Sequence, residues 1–174
     1  MFPSARTGGP TRCAASARTR ATPSCSRARR SAVTDAGTQA LRVAIVIDPD
    51  QPLGLLANTV AVLAAGLGAA MPALGGRTLV DSTGRAYLNS ADRPIPVLQA
   101  SAGTLATLLG KAAAAPEGAV LVPFPQFART IHDFAAYADA FSVRDLGSEP
   151  LLGMGIAGPD KWVRSLTGAL KLLR

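Results

Sequence analysis

The sequence predicts an α/β fold: a three-layer domain with a mixed four-stranded sheet flanked by helices, spanning residues 41–174. Three observations carry this. Short apolar or β-branched runs alternate with segments whose apolar residues recur at helical spacing. Clusters of Gly, Pro and Asp punctuate the alternation. The end of the chain has complete strand–helix grammar: Gly155-Ile156-Ala157-Gly158-Pro159 leads into Asp160-Lys161-Trp162-Val163-Arg164, and Gly168 follows as a stop.

Taken in order, Leu41–Ile47 is a β-branched run ended by Asp48-Pro49-Asp50, hence a buried strand. Gln51-Pro52 opens a helix to about Ala70, with Leu56, Val60, Leu63 and Leu67 on one stripe and Ala57, Ala61, Ala64 and Gly68 on a neighbouring small-residue stripe. Apolar nearly all round, this helix is expected to be buried between layers. Thr78–Val80 and Arg85–Leu88 flank Gly84 as a hairpin. Ile95–Gln99 is a second sheet strand, whose proline fits an edge or a strand start. Ser101 caps a helix to about Ala114, and Gly118–Pro123 is a third strand. From Pro125 to Phe141, the residues Phe127, Ile131, Phe134, Ala138 and Phe141 predict one helix. Leu151–Ala157 is the fourth strand, then come the Trp162 helix and an extended apolar tail.

The net charge of +7 raises nucleic-acid binding until the charges are located. Residues 1–42 carry eight arginines, no lysine and one acid, Asp35, which leaves ten basic and ten acidic residues beyond. The core is formally neutral and argues against tRNA binding, because phosphate contacts need clustered cations. Residues 1–40 are rich in Arg, Ser and Ala without apolar periodicity, so they are expected to be disordered. A start placed too far upstream, an organellar transit peptide and a basic arm all remain open for this tail. Both cysteines, Cys13 and Cys25, lie in it, and a core without thiols fits a reducing cytoplasm.

No charge occurs between Asp50 and Arg77, long enough to raise a membrane span. Asn58, Thr59, several glycines, Pro72 and the dominance of alanine over leucine point instead to a core helix and no membrane. Gly153–Gly158 spells G-x-G-x-x-G but lies inside the presumed strand, with no room for the acid a dinucleotide site needs. His132 is the single histidine, beside Asp133 on a polar helix face, so no zinc site or other cofactor is expected. The candidate ligand-binding residues are Asp48, Asp50, Gly54, Asn58 and Thr59, at the strand end and helix start where α/β sheets place ligands. Capping and turn chemistry would also account for the two aspartates. Asn58 is expected to hydrogen-bond the Asp48–Gly54 turn or to line a cleft beside it, since an unpaired buried amide costs about 1–3 kcal/mol.

The wording of the C-terminal strand and helix, Ile156-Ala157-Gly158-Pro159 with Leu166-Thr167-Gly168-Ala169-Leu170, resembles the second type of peptidyl-tRNA hydrolase. It is closer still to a bacterial family of uncharacterised proteins, domain of unknown function number 2000, through the Asp48-Pro49-Asp50 turn, the run Pro52–Asn58 and the ending Leu166–Arg174. The resemblance implies a peptidyl-tRNA-hydrolase-II-like fold. In those hydrolases the first helix begins with a Gly-Lys-x-Ala-Ala-Gln-type run. Aligned on Gly54, this chain has Leu55 at the lysine, Thr59 at the glutamine and Val62 at a following histidine. The hydrolases' Asp-Ala-Gly-x-Thr-Gln run is not matched by Phe141–Ser148, and the similar Asp35–Gln39 precedes the first strand. The reading is therefore a soluble cytoplasmic protein that binds a small molecule or partner at the Asp48–Asn58 corner, with hydrolase activity lost. Two alternatives stay open: an altered hydrolase acting on peptidyl-tRNA-like or peptide esters, and a homodimer joined through the small-residue helix face.

Overall fold

The computed structural model describes residues 40–174; the expectations for the N-terminal tail, its arginines and both cysteines fall outside that range. The strand β1 (Leu41–Ile47) feeds helix α1 (Leu53–Ala70), a short 3-10 turn and the hairpin β2 (Thr78–Val80) and β3 (Ala86–Leu88). Then come β4 (Val97–Gln99), α2 (Ala102–Ala112), β5 (Val120–Pro125), a 3-10 segment Gln126–Thr130 and α3 (Phe134–Ser142). The chain closes with β6 (Leu151–Pro159), α4 (Asp160–Thr167) and β7 (Lys171–Leu172).

The main sheet has five strands, in the order β5-β6-β1-β4-β7, not the four expected. The extra strand is the apolar tail: once α4 turns the chain back, Leu172 and Lys171 pair with Leu98 and Gln99. Two residues of strand carry too little periodicity to be read without the partner. The sheet is mixed, as expected, with β1 and β4 parallel and the other pairs antiparallel. Covered by β7, β4 is interior rather than an edge, and Pro96 only precedes its start. The hairpin forms its own two-stranded sheet, its turn carrying Gly84 at φ +83°, where a side chain would be strained.

Alternation along β1 sends its side chains to two cores. Val43, Ile45 and Ile47 meet Leu63, Leu67 and Phe124 under α1, while Ala44 and Val46 join Leu105, Met154, Ile156 and Val163 under α2 and α4. On β6 the α1 side is built from Gly153, Gly155 and Ala157, so α1 sits close. A Cβ at Gly155 would stand 3.0 Å from Leu67 Cγ, and one at Gly153 would stand 3.0 Å from the Val46 carbonyl oxygen. The G-x-G-x-x-G pattern is thus a packing feature of a buried strand.

Two helix expectations are corrected. α1 is not sandwiched between layers: only Thr59, Leu63 and Leu67 are fully buried, and Ala57, Ala61 and Gly68 are exposed. The predicted Pro125–Phe141 helix is broken. Pro125 ends β5, the 3-10 segment follows, and Ile131–Asp133 is extended before Asp133 caps α3 by accepting a hydrogen bond from the Ala136 amide at 2.9 Å. The apolar spacing survives the break because Phe127, Tyr137 and Phe141 close on one another as an aromatic cluster, with ring centroids 5.7–6.4 Å apart.

Candidate functional site

The carboxyl ends of β1 and β5 and the start of β6 meet at the Asp48–Gly54 turn. Asp48 accepts a hydrogen bond from the Asp50 amide at 3.1 Å, a turn that fixes the chain between β1 and α1. Neither aspartate caps the helix: Pro52 occupies the cap position without a side-chain bond. Bracing of the turn falls to Gln51, which the sequence reading passed over. Its Nε2 donates to the carbonyls of Asp48 at 2.7 Å and Leu152 at 2.8 Å, tying the turn to β6. Its Oε1 receives Arg129 Nη2 and lies 3.0 Å from the Thr59 hydroxyl. Thr59 is fully buried and stands 2.9 Å from the Leu55 carbonyl.

The five predicted residues therefore divide. Asp48 and Thr59 belong to the turn and its network. Asp50, Gly54 and Asn58 are exposed, and Gly54 has open space where a side chain would be. The expected hydrogen bond from Asn58 to the turn is not made: its amide is exposed and takes part in none of the side-chain bonds at this corner. The reason is helix phase. Thr59 faces the sheet, and 100° per residue turns its neighbour Asn58 outward.

Beside the corner lies an apolar cleft of about 400 Å³ between α1, β5 and the entry to α3. Val62 and Gly66 form one wall, Val122 and Phe124 the floor, and Ile131 with Tyr137 the other wall. His132 and Asp133 stand at its rim, both exposed. Burial pushes the Tyr137 hydroxyl above its usual range. Asn58 lies one helical turn before Val62 but is not among the residues that line the cleft, so its exposed amide neither braces the turn nor lines the cavity. Arg129, carried by the 3-10 segment beside the cleft residue Ala128, reaches across to Thr59 Oγ1 at 3.3 Å.

A larger cleft of about 470 Å³ opens at the opposite end of β1, lined in part by Arg42, Arg93 and Asp160. Its charges already neutralise one another. Arg42 pairs with Asp160 at 3.0 Å, and Arg93 pairs with Asp92 at 2.7 Å. Among the described residues, no group of three or more His, Cys, Asp or Glu could hold a metal ion.

No curated protein matches this chain. A solved structure of a protein of unknown function, Atu0240 from Agrobacterium tumefaciens strain C58, is similar to it with a TM-score of 0.68 at 20% identity, over 76% of this chain and 96% of that one. That likeness is one of fold. The model of the family described as "Protein of unknown function (DUF2000)" matches residues 41–174, the whole span from β1 to the last residue, and the chain belongs to that family.

Proposed function

We propose that this protein is a small-molecule or peptide binder of peptidyl-tRNA-hydrolase-II-like fold. Its site is the α1–β5–α3 cleft together with the Asp48–Asn58 corner at its end. The cleft carries the reading: an apolar cavity of about 400 Å³ with a few polar groups at its ends is the form small-molecule sites commonly take. Hydrolase chemistry is not part of the proposal. Leu55 and Val62, aligned by the resemblance with ionisable groups, are 43% and 42% exposed and apolar. Val62 lines the cleft, and neither side chain has a proton to transfer. A thermal-shift screen of the full chain should find a ligand that raises the melting temperature, because binding to the folded state stabilises it. Val62→Trp, which fills the cleft mouth from an exposed position, should remove that shift while leaving the free protein folded. A shift untouched by Val62→Trp would place the site elsewhere.

A second reading, homodimerisation, is favoured by the outer face of α1, where Gly54, Asn58, Ala61, Ala65 and Gly68 are exposed and uncharged. A two-fold interface sets a surface against its own copy, so a charge-free face with small side chains suits it. The sheet edges do not compete for this role: β5 carries Pro123 and Pro125, and β7 has two residues. Light scattering on the purified chain should give twice the chain mass, falling to one chain for Ala61→Arg. A monomeric wild type would end this reading, and partition of the protein into lipid vesicles would assign the face to a membrane.

A further inference from the structure

A second apolar cleft of about 400 Å³ adjoins the first, and Val122, Pro123, Phe134 and Tyr137 line both. The wall they share is aromatic. The Phe134 and Tyr137 rings stand 6.4 Å apart at an angle of 46°, on the first turn of α3. Phe134 is 80% exposed, whereas Phe124, Phe127 and Phe141 are buried or half-buried. A large ring left in solvent at the mouth of a groove is the kind of exposed apolar surface that marks a contact site. Asp133, the residue before it, is the one acid that lines either cleft, and no lysine or arginine lines them. One oxygen of its carboxylate accepts the Ala136 amide at 2.9 Å. Among the described residues it holds no ion-pair partner.

We propose that the cleft takes a small organic amine, with its ammonium group at Asp133 against the Phe134 and Tyr137 rings and its apolar body along Val62, Gly66 and Val122. This rests on the reading of the α1–β5–α3 cleft as a binding site and names the ligand class. Charge decides the choice. An aromatic ring attracts a cation over its face, and a neighbouring carboxylate adds a charge-assisted hydrogen bond. The same aromatic cluster already receives one cation. The guanidinium carbon of Arg144 stands 4.7 Å from the centroid of Phe127, which packs on Tyr137 at 5.9 Å. An anion finds no such partner. Arg129 is turned to Gln51 and Thr59, Arg144 is paired with Glu149, and neither lines either cleft. Asp133 would repel an anion at the same rim, which leaves the cation as the charged group this wall favours.

The test uses three probes that share a body and differ in head group: 4-phenylbutylamine, 4-phenylbutanol and 4-phenylbutyrate, titrated calorimetrically into the full chain. Measurement at pH 8 keeps an ordinary histidine uncharged and the amine charged. The amine should bind about tenfold more tightly than the alcohol, and the acid most weakly. Asp133→Asn removes the charge and keeps a side chain able to cap α3, so it should shrink the amine's lead over the alcohol. Phe134→Leu, at an exposed position, should shrink it as well. In the unaltered chain, proton contacts between the carbon next to the ammonium and the Phe134 and Tyr137 rings should appear by nuclear magnetic resonance, a readout independent of whether either variant folds. Equal binding of amine and alcohol, blocked by Val62→Trp, would overturn the cation site and keep the cleft. Absence of binding by all three would overturn both. An amine lead that survives both Asp133→Asn and Phe134→Leu, or a bound amine without those ring contacts, would remove this wall from the role. Tighter binding of a lysine-bearing peptide than of the amine would overturn the small-molecule assignment in favour of a protein partner.

Discussion

At the scale of single residues, the corner is held by an amide the sequence reading did not single out. Gln51 sits two residues before α1 in a Pro-rich turn, where it reads as ordinary loop polarity. Its role depends on Leu152, about a hundred positions away, and nothing local announces that partner. Gln51→Leu should cost about 1–3 kcal/mol in chemical denaturation, since two carbonyls lose their donor and Arg129 loses an acceptor. Asn58→Ala should leave the midpoint nearly unchanged, because the amide is exposed and braces nothing. A loss for Asn58→Ala equal to that of Gln51→Leu would contradict this division. The β6 glycines give the opposite lesson. Their motif reads as a nucleotide site or as nothing, yet Gly155→Ala should destabilise by about 1–3 kcal/mol, because Leu67 at 3.0 Å must give way. Wild-type stability for Gly155→Ala would mean that α1 packs less closely than the structure has it.

Among the elements, α1 shows how far composition misleads. A helix without charges from end to end suggests burial on every side, but alanine and glycine expose little apolar surface each, so a face built from them tolerates solvent. The α4 helix, by contrast, was legible through its Gly-Pro start and Trp162. Its link to β1 was not. Asp160 accepts Arg42 at 3.0 Å across 118 positions and Arg164 within its own helix. The Arg42 bond, followed by Arg164, holds the Asp160 carboxyl below its ordinary value. A folded-state value below the unfolded one contributes stability above the usual aspartate range, which is lost as pH falls through the lowered value. The melting-temperature gap between wild type and Asp160→Asn should therefore be present at neutral pH, close in strong acid and shrink with added salt. A gap independent of pH would show that the carboxylate's charge is irrelevant.

For the whole molecule, the sheet is completed by its last residues. Leu172 pairs with Leu98, and the Leu173 amide donates to the Val97 carbonyl at 3.0 Å, so the C-terminus covers what would otherwise be an exposed edge at β4. Among the described residues, the two core clusters draw on elements from β1 to the C-terminal tail. Removal of residues 1–32 should then leave the melting temperature within a degree or two of the full chain, consistent with the lack of apolar periodicity there. Aggregation of the shortened chain would show that the tail contributes to folding.

The sequence by itself determined the α/β class and the order of most strands and helices, because periodicity and Gly–Pro punctuation are local signals and most elements are long enough to carry them; the mixed sheet and the family came with the resemblance of its motifs. Tertiary structure alone decided the fifth strand, the break before α3, the outward phase of Asn58 and the junction of Gln51, Thr59 and Arg129. Each depends on a partner far along the chain. The Arg129–Gln51 contact joins residues 78 positions apart, and a cleft is a property of surfaces that meet only after folding.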